Sequence, residues 1–176
     1  MIEIELKFKL IGTLKDFREK MIGHYVVQPR TLETTMMYDN KELLMQKTDG
    51  RLRIRSGQIR TLSYKKPLTR KGIKQEIEYE VDVSSISQTK LILNSIGFQK
   101  VSGYTRHRTI WRIKGSKVFL DEFSFGNFVE IEGSKKEIKE IAKELWFDLK
   151  SNITKSYDGI YNEMCLEKGI KPKLFI

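Results

Sequence analysis

Glu3, Glu5 and Lys7 alternate with Ile2, Ile4, Leu6 and Phe8 at the start of the chain. Side chains on a strand point to opposite faces with period two, so two carboxylates and an ammonium stand in a row against an apolar opposite face. The pattern recurs. Arg51, Arg53 and Arg55 oppose Leu52 and Ile54; Ser63 and Lys65 oppose Leu62 and Tyr64. Glu76, Glu78, Glu80 and Asp82 oppose Ile77, Tyr79, Val81 and Val83. Arg106, Arg108 and Arg112 share a parity against His107, Thr109, Trp111 and Ile113, and Glu130 and Glu132 oppose Val129 and Ile131. Arginine rows grip phosphate or carboxylate in bidentate fashion. Carboxylate rows suit hard divalent cations, which take oxygen ligands. Together they suit a polyanion held by Arg and Lys and bridged to acids by divalent cations. The ordinary alternative is an amphipathic sheet whose charged face meets bulk water. Against it, the basic strand rows use Arg where the helices and loops mainly use Lys.

The elements that must position these rows are legible in outline. Residues 13–25 read as a helix capped by Thr13, with Leu14, Phe17, Met21 and Ile22 as its apolar stripe. Residues 31–39 read as a strand, 41–45 as a short helical turn, and Asp49-Gly50 as a turn. Strands over 51–55, 61–66 and 74–83 follow, with a basic loop at 67–72. Ser84 or Ser87 can cap a helix that Gly97 ends. Residues 98–113 form one long strand or two, and strands at 117–122 and 128–132 complete the set. Ser134 and Glu137 form a capping box for a helix to about 149, and 154–168 read as a last helix. No low-complexity segment or linker divides the chain, which predicts a single domain over 1–176. The expected fold class is α+β: a closed eight-stranded antiparallel β-barrel with a charged lumen and helices packed outside.

Composition narrows the partners. The 176 residues carry a formal net charge of +10, which implies an anionic partner. Cys165 is the one cysteine, so no intrachain disulfide forms, and a reducing, cytoplasmic location is expected. The N-terminus lacks the basic and then apolar regions of a signal peptide. No apolar run approaches the roughly 20 residues of a membrane span. There is no phosphate-binding Gly-rich Lys-Ser/Thr loop, no dinucleotide fingerprint and no zinc-type Cys/His cluster. His24 and His107 lack a Ser or Cys partner in a recognisable motif and are read as structural.

The sequence resembles the CYTH family, the triphosphate tunnel metalloenzymes. Glu3, Glu5 and Lys7 match its Glu-x-Glu-x-Lys signature; Tyr38-Asp39 matches its aromatic-Asp; Arg53 and Arg55 match its Arg-x-Arg strand. Lys65 within Leu62-Ser63-Tyr64-Lys65-Lys66-Pro67, the paired Glu76 and Glu78, and Arg106-x-Arg108 continue the match. So do Leu120-Asp121-Glu122, the run Gly126 to Glu132, and Lys155-Ser156-Tyr157. The order and spacing of these motifs, over roughly residues 1–160, carry the likeness. Arg106 replaces the commoner Lys, and Asn40 replaces Thr.

The resemblance implies an eight-stranded tunnel and divalent metal, Mg2+ or Mn2+. It implies Glu3, Glu5, Asp121, Glu130 and Glu132 as metal ligands. Lys7, Arg53, Arg55, Lys65, Arg106 and Arg108 would hold a triphosphate, with Lys155, Glu76 and Glu78 also in the substrate site. Glu5 and Lys65 are the catalytic candidates, Lys65 to orient or deprotonate water. Arg51 and Arg112 lie outside the motifs and are expected at the surface. The expected activity is metal-dependent triphosphatase. The alternative is a class IV adenylyl cyclase, and a third reading is a non-catalytic polyphosphate or RNA binder. The expected partner is a small-molecule triphosphate, with neither membrane nor nucleic acid; a homodimer is compatible with the chain.

Overall fold

Alternation of charged and apolar residues leaves each strand with one face that must be buried and one that must be solvated or paired. The computed structural model, which describes residues 2–69 and 72–176, meets both needs by closure. Its strands are β1 (Ile2–Lys9), β2 (Tyr25–Asn40), β3 (Arg51–Ser56), β4 (Thr61–Pro67), β5 (Lys74–Asp82), β6 (Phe98–Ile113), β7 (Ser116–Phe123) and β8 (Gly126–Glu132). They close in the order β1-β5-β4-β3-β2-β6-β7-β8, every neighbouring pair antiparallel, with β8 returning to β1. Closure gives every strand a neighbour on both sides. Among the described residues the helices are α1 (Leu14–Lys20), α2 (Leu44–Thr48), α3 (Ile86–Ser95), α4 (Lys135–Glu144) and α5 (Tyr157–Glu167). No helix among them is long and apolar enough to cross a membrane. Of the basic loop at 67–72, Arg70 and Lys71 lie outside the described residues, as does Met1.

The hydrophobic core lies outside the barrel wall. Ile138, Ile141 and Ala142 of α4 pack on Leu6, Phe8, Val129 and Ile131, the outward residues of β1 and β8. Each fully buried Ile contributes about 2 kcal/mol. Leu93 of α3 covers Met36, Tyr38 and Ile54. A third cluster, Tyr104, Phe123, Phe128 and Tyr157, fills the barrel end where β7 turns into β8.

Several boundaries differ from expectation. α1 stops at Lys20 because Gly23 takes φ 89° and turns the chain into β2. β2 begins six residues before the expected strand and runs through Pro29. Its pairing with β6 shifts register between Gln28 and Thr31, so Pro29 sits where no ladder N–H is required. Ser85, rather than Ser84 or Ser87, caps α3, accepting from the Gln88 amide at 3.3 Å. The expected Ser134–Glu137 capping box forms, but α4 ends at Glu144. There Trp146 adopts φ 67° and the Phe147 amide returns to the Ala142 carbonyl, which stacks Phe147 on Phe8 at 4.6 Å. α5 begins at Tyr157, three residues later than expected.

Candidate functional site

Period-two alternation turns the charged parity of every strand inward. The tunnel is lined by Glu3, Glu5 and Lys7 from β1, Arg51, Arg53 and Arg55 from β3, Lys65 from β4, and Lys74, Glu76, Glu78, Glu80 and Asp82 from β5. Arg106 and Arg108 from β6 and Glu130 and Glu132 from β8 line it as well. Because β8, β1 and β5 are neighbours, their acids form one wall; because β3, β2 and β6 are neighbours, their arginines form the facing wall.

On the acidic wall, one carboxylate oxygen from each of Glu3, Glu5 and Glu132 lies within 4.8 Å of the others. Burial and the adjacent Glu3 push the Glu132 carboxyl well above the usual range. Burial acts the same way on Glu3, but its hydrogen bond with Glu132 and the nearby Lys65 charge overcome this and hold Glu3 low. The two thus share one proton, as crowded carboxylates do. Three acids on two adjacent strands with a surplus of negative charge fit a hard divalent cation, whose binding would displace that proton. Lys65 pairs with Glu3 and lies 3.1 Å from Glu78. Lys74 anchors Glu5 at 2.9 Å and Glu76 at 2.8 Å.

On the basic wall, Arg53 donates to Ser63 Oγ at 2.8 Å and reaches Glu78 at 3.4 Å. Arg55 differs: among the described residues no carboxylate pairs with it, and its buried Nε has no hydrogen-bond partner. Burial, then repulsion from Arg53, Arg106 and Arg108, lowers its pKa to about 10. A guanidinium so placed favours an anionic partner.

The structure does not gather all five expected acids. Asp121 is fully buried on the inner face of β7, accepting from Arg108 Nε at 2.6 Å, Arg106 Nη1 at 3.2 Å and the Tyr157 hydroxyl at 2.6 Å. Glu130 lines the tunnel but faces Arg108 at 2.8 Å and Lys7 Nζ at 3.2 Å. Both acids therefore brace cations here and stand apart from the three-acid cluster. Lys155 lies outside the tunnel, with its side chain exposed and paired to Glu163; only its backbone carbonyl faces inward, accepting from Lys7 Nζ at 2.9 Å. Arg51, expected at the surface, is instead a tunnel residue paired with Glu76, while Arg112 is exposed as expected. Asp39 does not reach the tunnel: it caps α2, accepting from the Met45 amide at 2.9 Å and the Gln46 amide at 3.1 Å.

Sequence reasoning passed over Glu33, Lys74 and Gln28, which also line the tunnel. Lys74 has the same parity as Glu76 and was findable on that ground. Gln28 lies between two register shifts of β2, where parity counting fails; Glu33 shares the parity of Thr35 and Met37 in an unbroken run and was findable on that ground as well.

A candidate adenylate cyclase of Vibrio parahaemolyticus superposes with TM-score 0.80 at 18% identity, over 91% of this chain and 97% of that one. A Pyrococcus horikoshii protein superposes with TM-score 0.77 at 25% identity, over 92% and 99%. A candidate adenylyl cyclase from Hippeastrum, described as having a dominant triphosphatase activity, gives TM-score 0.62 at 17% identity over 98% of both chains. No curated protein matches the sequence. The model of the CYTH domain matches residues 1–157, and by that match, joined to the closed barrel and its charged lumen, the chain belongs to the CYTH domain family.

Proposed function

We propose that this chain hydrolyses a triphosphate, inorganic tripolyphosphate ahead of a nucleotide, with Mg2+ or Mn2+ held by Glu3, Glu5 and Glu132. The observation that carries this reading is the facing of an acidic wall by an arginine wall whose Arg55, among the described residues, has no carboxylate pair. Phosphoryl transfer depends on positioning and charge neutralisation more than on covalent chemistry. Arg53, Arg55, Arg106 and Arg108 offer donors to successive phosphoryl oxygens and stabilise charge that grows there in the transition state. Asp121 and Glu130 fix Arg106 and Arg108 before substrate arrives, so little reorganisation is needed. Lys65, already directed at Glu3 and Glu78, serves as an orienting donor rather than as a proton acceptor. Glu5, held by Lys74, is the carboxylate that accepts a hydrogen bond from the attacking water. The cation supplies charge neutralisation at phosphoryl oxygens and acidifies water.

The adenylyl cyclase reading uses the same walls with a ribose hydroxyl in place of water, and the name of the Vibrio neighbour points that way. Adenine needs an aromatic platform or hydrogen-bonding groups at the tunnel. Tyr38 is buried in the outer core. Tyr104 lines the tunnel, but its ring packs edge-on against Phe123 and Tyr157. The hydrolase therefore stands first. Supplying tripolyphosphate and ATP separately with Mg2+ or Mn2+ tests it. Phosphate release from tripolyphosphate should exceed cyclic AMP formation from ATP; intact tripolyphosphate beside accumulating cyclic AMP would reverse the order.

A further inference from the structure

Glu33 is a carboxylate set within the arginine wall. It is 5% exposed, and its Oε2 accepts from Arg106 Nη2 at 2.9 Å and Nε at 3.2 Å. Its Oε1 accepts from Gln28 Nε2 at 3.1 Å. A Cβ at Gly57 would come within 2.9 Å of Glu33 Cγ, so the turn after β3 has the room this side chain requires. Arg106 thus has Glu33 on one side and Asp121 on the other, whereas Arg55 beside it pairs with neither.

Resting on the triphosphate reading, we propose that Glu33 is a length determinant: a built-in anion that closes the arginine row and restricts the tunnel to short phosphate chains. Two physical effects act together. The donors of Arg106 that face Glu33 are occupied, so a further phosphoryl group gains no new bidentate contact there. The fixed negative charge also repels each added phosphate at short range, where screening by salt is weak. Glu33 sits one inward position beyond Thr35, the register partner of Arg55, so a shorter chain spans from the acidic wall to Arg55 and each added phosphate falls closer to Glu33. A merely structural Glu33 would neutralise arginines for the fold and leave the choice between chain lengths untouched.

Calorimetric titration with tripolyphosphate and tetrapolyphosphate, in EDTA so that turnover cannot consume the ligand, separates these roles. The wild type should bind tripolyphosphate more tightly. Glu33→Gln should move the ratio of the two affinities about tenfold toward tetrapolyphosphate. Glu33→Asp keeps the charge but draws it back from Arg106, and should move the ratio the same way by about two- to threefold. A ratio measured on one sample is insensitive to a smaller folded fraction, and the Asp variant decides the matter if the Gln variant does not fold. Unchanged ratios overturn the length role alone. Failure of the wild type to bind either chain, in EDTA and in Mg2+ alike, would overturn the triphosphate reading itself; binding seen only with Mg2+ would move the same comparison to the ratio of kcat/KM for the two chains.

Discussion

Tyr157, the first residue of α5, donates its hydroxyl to Asp121 of β7 at 2.6 Å inside the aromatic cluster that fills one barrel end. Asp121 in turn holds Arg106 and Arg108, so the C-terminal helix is linked through a single carboxylate to the arginine wall. Burial and the charges of Asp121 and Glu130 push the Tyr157 phenol well above its usual range, which keeps it a donor. Tyr157→Phe should lower unfolding free energy by about 1–2 kcal/mol, the cost of a lost buried hydrogen bond to a charged group. It should also raise KM for tripolyphosphate several-fold while leaving kcat within about threefold, because two arginines lose part of their bracing. Urea unfolding and steady-state kinetics check both.

Arg55 separates stability from activity. Among the described residues it has no carboxylate pair, and it is repelled by Arg53, Arg106 and Arg108. Arg55→Gln should therefore leave the free protein as stable as the wild type or slightly more so. It should cut kcat/KM for tripolyphosphate and for ATP alike by about 100-fold, through lost transition-state charge stabilisation. Thermal unfolding without ligand, beside kinetics on both substrates, tests the opposite signs.

The acidic wall allows a contrast between two isosteric changes. Glu132→Gln removes a carboxyl that shares a proton with Glu3, so it should cost little stability without metal and should abolish the upward shift in Tm on adding Mg2+ or Mn2+. Glu130→Gln strips partners from Lys7 and Arg108 and should cost about 3 kcal/mol, because two buried cations lose a counter-charge. If Glu130→Gln instead abolished the metal shift and Glu132→Gln did not, the ligand set would be wrong. Differential scanning fluorimetry with and without EDTA distinguishes them.

Glu33 predicts acid sensitivity. Burial opposes ionisation of Glu33, but Arg108, Arg106 and Arg55 lower its pKa from 4.5 to about 2. A group whose folded pKa is depressed stabilises the fold above its unfolded pKa and loses that contribution as pH falls through the folded value. A drop from 4.5 to about 2 corresponds to about 3 kcal/mol, lost between roughly pH 4.5 and pH 2. The unfolding free energy of Glu33→Gln should be flatter than that of the wild type across this window. Equal slopes in denaturant titrations at successive pH values would contradict it.

Parity along each strand was legible without coordinates. It placed Glu3, Glu5, Lys7, Arg53, Arg55, Lys65, Arg106, Arg108, Glu130 and Glu132 on inward faces, and Ile4, Leu6, Ile54 and Val129 on outward ones. A period of two is a local property of the extended backbone, so short-range sequence determines it. Which charges meet depends on the stagger between strands distant in the chain, and only closure of the barrel decided that. Closure put Arg51 against Glu76, 25 residues away, and strand pairing set Asp121 against Arg106 and Arg108. The pairing of β2 with β6 set Glu33 opposite Arg106. Lys155 matched a motif by order alone, but the loop before α5 turns its ammonium out to Glu163 and only its carbonyl in to Lys7. Residue types and their alternation thus determined a charged lumen with an apolar exterior, whereas the pairing of each charge came from long-range register, which no local interaction encodes.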